Sequence, residues 1–345
     1  MNKISANLNN LFSKERNSWY LFFLIFLLFH GVNIFNLEEF SLLINDPFLK
    51  LSPERQYHHQ SPIQYFIGFV LYQIIGSTYI CFFIVQLLAI LLLIYSVKLF
   101  SRKYLIDSDY ILKVFVLSPG LLILLHWFGK PDLFLISSYL ILISTSKKPL
   151  IFIASITMVF SHYQISILYF LFSFFLNLIK YKKIYFFSFL AALTIFNIYL
   201  MELGSLQGRV ELYSSILDSI FLTSFNNFLL GIFSVFSWLW LPIITSKNLV
   251  SKKTIAVFFI AILAGCFGDF TRAGFLTLIP LYVYLIQNIE FKEKLLSFVN
   301  QYPIKLLALV QFQKTFLGDI TEISWFWMNK EELKLLLKNL MTFIN

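Results

Sequence analysis

Between Asn36 and Gly76 the chain reads N-L-E-E-F-S-L-L-I-N-D-P-F-L-K-L-S-P-E-R-Q-Y-H-H-Q, then S-P-I-Q-Y-F-I-G-F-V-L-Y-Q-I-I-G. Four carboxylates (Glu38, Glu39, Asp46, Glu54), the Arg55 guanidinium and the imidazoles of His58 and His59 crowd into this short polar stretch. Such a set suits acid–base work on an anionic substrate. A carboxylate can take the proton of an attacking hydroxyl, and cations can hold the negative charge of a leaving group. His58 and His59 are adjacent and cannot share one helical face, so that pair alone is a poor metal site. No metal-ligand set is read, and a divalent metal stays open as a cofactor.

Further candidates stand in turns between apolar runs. Lys130 and Asp132 belong to H-W-F-G-K-P-D, His162 to S-H-Y-Q, and Asp269 and Arg272 to G-D-F-T-R. Charges beside a membrane core tend to face a cavity or a partner. With Arg55, His58 and His59 they form the expected substrate-binding set. Each has a plainer reading. Asp132 follows a proline at a helix start, where a carboxylate favours the helix dipole. Asp269 and Arg272 can pair with each other at i, i+3. His162 can be a packing residue between two spans. Asp46 is expected as the catalytic base, because a residue before proline leans toward extended backbone and can hold its carboxylate outward. Glu38 and Glu39 are its rivals, at the membrane surface. The plainer reading of Asp46 is an Asn-Asp-Pro turn.

The elements that must position these groups are apolar. Of 345 residues, 59% are hydrophobic and 13% charged, 42 are Phe, and the mean hydropathy is +0.77. Soluble domains carry roughly 25% charge, so a soluble fold would have no polar skin. The composition indicates an all-α polytopic membrane protein. A net charge of +9 then marks the cytoplasmic side rather than nucleic-acid binding. Cys81 and Cys266 lie in apolar runs and give no disulfide framework.

The apolar run Trp19–Phe35 reads as a retained first span, and Lys3, Lys14 and Arg16 before it place the N-terminus in the cytoplasm. In Pro62–Gly76, residues Ile63, Phe66, Ile67, Val70, Leu71 and Ile74 fall on one helical face. A two-faced helix belongs in the interface, so this one is expected to lie on the outer surface without crossing. The remaining spans are Thr78–Val97, Ile111–Phe128, Leu133–Ser144, Leu150–Phe160, Ile165–Ile179, Ile184–Leu200, Phe225–Thr245, Ala256–Phe267 and Ala273–Ile286. That makes about ten, and every lysine-rich loop then falls on one side. A membrane domain over 1–290, with its outer loop and interfacial helix at 36–76, precedes a cytoplasmic tail at 291–345. The tail carries a basic amphipathic run from Lys330 to Phe343 that suits the inner leaflet. The Ile, Asn, Lys and Phe bias points to an AT-rich genome and a bacterial inner (plasma) membrane.

The order of these features resembles the GT-C superfamily of integral membrane glycosyltransferases, which includes protein mannosyltransferases and lipid A aminoarabinose transferases. The resemblance rests on a first span, an outward loop with early acids, Y-H-H-Q-S-P-I-Q-Y, an amphipathic segment ending in Gly, and L-S-P-G-L-L-I-L-L-H-W-F-G-K-P-D. It runs over about Trp19 to Ser146. Pro62, Ile63 and Tyr65 stand where that family's Pro-Pro-Leu-Tyr-type run opens a juxtamembrane helix. Pro119 and Asp132 stand where its later Pro and Asp recur. The family's Asp-Glu pair after the first span is Glu38-Glu39 here, with Asp46 further on. The chain is short for the family and lacks the soluble domain that many members carry.

The resemblance implies transfer of a sugar from a polyprenyl-phosphate donor to a glycan, lipid or protein acceptor at the outer face, with inversion at the sugar carbon. The implied partners are membrane lipids and that donor. The residues also leave open an O-antigen or exopolysaccharide polymerase. A transporter or flippase stays open too, although the charges cluster at one face rather than at mid-span.

Overall fold

The computed structural model describes residues 34, 37–120, 128–204, 232, 235–246, 251–265 and 270–301. The expected first span apart from Ile34, the first part of the Phe225–Thr245 span, Asp269 and the Lys330–Phe343 run lie outside the described residues. Among the described residues the protein is all helical, with only isolated bridges joining Phe128 to Ile34 and to Lys130.

In chain order the helices are α1 (Leu37–Leu43), a 3-10 segment (Pro53–Gln60), α2 (Ile63–Ile75), α3 (Thr78–Tyr104), α4 (Ser108–Leu117), α5 (Asp132–Ser144), α6 (Lys148–Ser161), α7 (Tyr163–Phe175) and α8 (Lys182–Leu203). After them come α9 (Trp240–Thr245), α10 (Lys252–Gly265), α11 (Phe270–Thr277), α12 (Ile279–Ile286) and α13 (Ile289–Gln301). Of these, α3 at 27 residues and α8 at 22 residues are long and apolar enough to cross a membrane. The expected spans at α5, α6 and α7 form as apolar helices of 13, 14 and 13 residues. Each rises about 20 Å, short of a roughly 30 Å hydrocarbon layer. Pro131 and Pro149 set the starts of α5 and α6. His162, in extended backbone, separates α6 from α7.

The core is a stack around α5, all of whose residues are buried. It packs against α3 and α6, and α6 packs in turn against α8. Turns alternate between two ends. At the basic end, Tyr104 donates to the Ile143 carbonyl at 3.1 Å. Lys253 lies 5.9 Å over the Phe175 ring and Lys292 lies 5.6 Å over that of Tyr110. At the other end, Tyr199 from the end of α8 meets Phe48, Phe66 and Phe160 with ring centroids 5.4–6.0 Å apart. Helix α13 packs against α9 and α12, with Phe291, Leu295 and Val299 buried at i, i+4 and i+8. It therefore runs through the expected domain boundary at residue 290.

Helix α2 leaves only the far edge of its apolar stripe uncovered, since Ile63, Phe66, Ile67 and Leu71 are half-buried against the core. Gln64, Tyr65 and Gly68 are buried against the protein, while Val70 is 61% and Ile74 80% exposed. Gly68 is why it can approach so closely. A Cβ there would sit 2.6 Å from the Phe40 ring and 2.9 Å from Ile44. The helix ends on Gly76 at φ +71, the left-handed cap that glycine adopts without strain.

Two expected helices are interrupted. Ser237 has φ +51 and breaks the run before α9. The Tyr282 hydroxyl donates to the Val235 carbonyl there at 2.7 Å. The expected Ala273–Ile286 span divides into α11 and α12 at Leu278, because Pro280 has no N–H for the Leu276 carbonyl four residues earlier. The buried hydroxyl of Tyr169 supplies that bond at 2.6 Å. Tyr169→Phe is therefore expected to cost about 1–3 kcal/mol, the penalty of a buried carbonyl left without a donor. Pro280→Ala returns the backbone N–H, so the double variant should recover much of that loss. Thermal unfolding of the purified variants measures it. Equal loss in Tyr169→Phe with and without Pro280→Ala would remove this explanation.

Candidate functional site at the loop end

The first-loop groups are brought together by packing. Helix α1 buries Phe40 and Leu43, and the Phe40 ring sits edge-on to Phe82 of α3 at 5.2 Å. That places Glu38 and Glu39 over the 3-10 segment, whose Arg55 Nη1 lies 2.8 Å from Glu38 Oε1 and 3.9 Å from Glu39 Oε1. His58 Nε2 is 3.8 Å from the same Glu39 oxygen. Its Nδ1 is 3.0 Å from the Tyr65 hydroxyl. Glu39 is thus the carboxylate at the junction of a guanidinium and an imidazole, and its side chain is 17% exposed against 68% for Glu38.

Asp46 is not in this cluster. Its Oδ1 accepts from the Phe48 backbone N–H at 2.9 Å, an Asx turn that uses the carboxylate to close its own bend. The expectation that the proline would hold Asp46 outward as a free base meets this local bond, which a short side chain makes at little entropic cost. The side chain of Glu54 is not among those described.

His59 faces away from His58. Its Nδ1 lies 3.1 Å from the Tyr199 hydroxyl, which donates to the Pro47 carbonyl at 3.3 Å. Burial pushes the His59 pKa below its ordinary 6.5, opposed by the Leu49 backbone nearby.

A second charged centre lies across the same end. Arg272 of α11 donates through Nε and Nη2 to the two oxygens of Asp132, both at 2.7 Å. Asp132 opens α5 and is 3% exposed, and Arg272 is 13% exposed. The i, i+3 partner expected for Arg272, Asp269, lies outside the described residues; the guanidinium forks onto a carboxylate 140 positions earlier. The helix-start reading of Asp132 also holds, since its position and its partner are compatible. The two centres share one apolar cluster that joins Phe40 and Tyr65 to Leu133 and Phe134. Phe128, two residues before Lys130, packs edge-on to Phe82 at 6.2 Å. His162 lies between α6 and α7, two residues beyond Phe160, whose ring meets Tyr199.

Three residues went unnoticed in the sequence. Tyr199 looked like the end of a span, and no local signal ties it to His59. Gln64 and Gln86 are fully buried, and both Gln64 amide atoms and Gln86 Nε2 have no hydrogen-bond partner among the described residues. Gln64 had stood out only as a residue off the apolar face of α2. Among the described residues no cluster of three metal-ligating side chains forms.

Removing one member of the buried pair strands the other charge. Arg272→Ala is expected to cost about 3–5 kcal/mol, and Arg272→Lys should recover only part, because an ammonium cannot fork onto a carboxylate. Unfolding midpoints read this. Full stability in Arg272→Ala would show that the pair is not structural.

The buried neutral His59 also sets a pH dependence. The folded pKa is lowered, so the unfolded chain binds the proton first. Stability is fully present above about pH 6.5 and falls as the pH drops below it. Unfolding compared at pH 7.5 and 5.5 should show that loss, reduced in His59→Gln. No protein-family model, no curated protein and no solved structure matches this chain.

Proposed function

We propose that the protein is a polytopic membrane glycosyltransferase of the GT-C kind, with about ten spans and both termini on the basic, cytoplasmic side. It moves a sugar from a polyprenyl phosphate to an acceptor hydroxyl of a glycan, lipid or protein at the opposite face. The observation that carries the reading is the Glu39–Arg55–His58 junction on a loop held against apolar helices at one end. A lipid-linked phosphate donor needs that combination of interfacial charge and hydrocarbon.

Magnitudes divide the roles. The Arg55–Glu38 pair is exposed, and such pairs are worth about 0–1 kcal/mol. Arg55 can therefore leave Glu38 for a donor phosphate at small cost. Arg272 cannot do the same, because leaving Asp132 would strand a buried carboxylate. Arg272 and Asp132 thus fit a clamp better than a phosphate site. Lys130, two residues before Asp132, and His162 are the further candidates for the donor phosphate. Glu39 takes the proton of the acceptor hydroxyl as the oxygen bonds to the sugar carbon. The bond from that carbon to the phosphate oxygen breaks, and the polyprenyl phosphate departs with its electron pair.

One observation favours a carrier instead, since carriers interrupt their helices at binding sites. Here the breaks at Ser237 and Pro280 are filled by Tyr282 and Tyr169, and that argues against an ion path through them. The test is sugar transfer in membranes carrying each variant at matched expression. Glu39→Gln is expected to lose about 10²–10⁴ in rate, with Asp46→Asn close to the parent. Normal transfer by Glu38→Gln, Glu39→Gln and Asp46→Asn alike would end the first-loop carboxylate mechanism.

A further inference from the structure

We infer that the groove between α9, α10 and α12 binds one acyl chain of an anionic phospholipid, whose phosphate rests against Lys252. The inference depends on the membrane reading and is independent of sugar transfer. The groove has a volume of about 340 Å³ and is lined by Phe236, Trp240, Ile255, Phe259, Leu281 and Leu285, with Thr254. That is the size of a small-molecule pocket.

Its side chains offer a ligand no polar contact. Trp240 Nε1 donates to the Ile232 carbonyl at 3.3 Å, and the Thr254 hydroxyl donates to the Ser251 carbonyl at 2.8 Å. A polar ligand would leave its own groups unbonded there, whereas a hydrocarbon chain loses nothing. The groove opens among apolar surface, with Phe259 61% and Ile244 72% exposed.

Charge selects the head group. Lys252, Ile255 and Phe259 fall at i, i+3 and i+7 along α10, so Lys252 continues the groove's own stripe by one turn toward the basic end. Lys252 is exposed and can extend along the apolar surface to keep its ammonium at the interface. Lysines there outnumber the acids Asp107, Asp109, Glu290 and Glu293, and a basic surface draws anionic lipid.

The experiment is native mass spectrometry of the purified full chain titrated with phosphatidylglycerol, phosphatidylcholine or a polyprenyl phosphate. The parent should retain one phosphatidylglycerol about fivefold more tightly than phosphatidylcholine, the worth of one lysine near an anionic head group. Lys252→Glu should abolish that preference. Ile255→Trp, at a surface-exposed position, should fill the groove and remove the bound lipid. Equal retention of the two phospholipids by the parent, adducts unchanged in both variants, or a preference for the polyprenyl phosphate would each overturn the proposal. Alkaline extraction of the same membranes separates the premises. Release of the parent chain would defeat the membrane reading itself, and retention leaves the lipid data to decide the site.

Discussion

The Asp132–Arg272 pair is the constraint around which the loop end is built. A carboxylate at 3% exposure cannot stay charged away from water without a partner and several donors. Arg272 supplies two parallel bonds at 2.7 Å, the geometry in which a guanidinium matches a carboxylate. The N-terminal dipole of α5 adds to it. The pair fixes the start of α5 relative to α11. Because α5 is buried along its whole length, its position then sets α3 on one side and α6 on the other, and α8 beyond α6. Leu133 and Phe134, one and two residues into α5, reach the cluster that holds Phe40 and Tyr65. The first loop thus inherits its placement from an ion pair formed far along the chain.

A second constraint is the supply of donors for carbonyls that the helices leave bare. Pro280 frees Leu276, Ser237 interrupts the run after Val235, and α5 ends with Ile143 short of a backbone partner. Tyr169, Tyr282 and Tyr104 reach these three carbonyls. Tyrosine suits the task, because its ring is at home in an apolar core while its hydroxyl donates. The interruptions let α11, α12 and α9 bend around their neighbours without unbonded backbone, a condition that is strict where no water enters. The many tyrosines of the chain are in this respect part of its backbone bonding.

Helix class and the gathering of charge at one end were legible in the sequence because both follow from local pattern. Apolar runs punctuated by lysines give helices that alternate in direction, and Lys253 and Lys292 do meet the same end. What was not legible depends on distance along the chain. No local spacing in the sequence ties Arg272 to Asp132, its bidentate partner across 140 positions. Helix α2 turns Gln64, Tyr65 and Gly68 inward and leaves Val70 and Ile74 outside, so its apolar stripe is only partly covered by the protein. Gly68 could have hinted at close approach, since a glycine within a helix costs stability unless its missing side chain is used. The bounds of α5 and α6 fall within two residues of the expected runs Leu133–Ser144 and Leu150–Phe160, whereas α7 stops at Phe175, short of the expected Ile179.

Asp46 and Glu39 show how the environment sorts carboxylates that look equivalent in sequence. Both lie in the first loop beside an apolar helix. Asp46 has a side chain short enough to reach the N–H two residues on, and it spends an oxygen on that turn. Glu39 is one methylene longer, sits in the first turn of a helix whose Phe40 is anchored, and cannot fold back in the same way. Its Oε1 lies 3.9 Å from Arg55 Nη1 and 3.8 Å from His58 Nε2, and the same imidazole meets the Tyr65 hydroxyl through Nδ1. A base needs orientation more than exposure, because a mobile carboxylate must be ordered at each turnover. Under the proposed transfer mechanism, the anchoring of Phe40 against Phe82 and Gly68 would orient the base as well as pack the helix. It fixes the backbone one residue from Glu39, and through Phe82 and Phe128 it ties that carboxylate to the segment that presents Lys130 and Asp132.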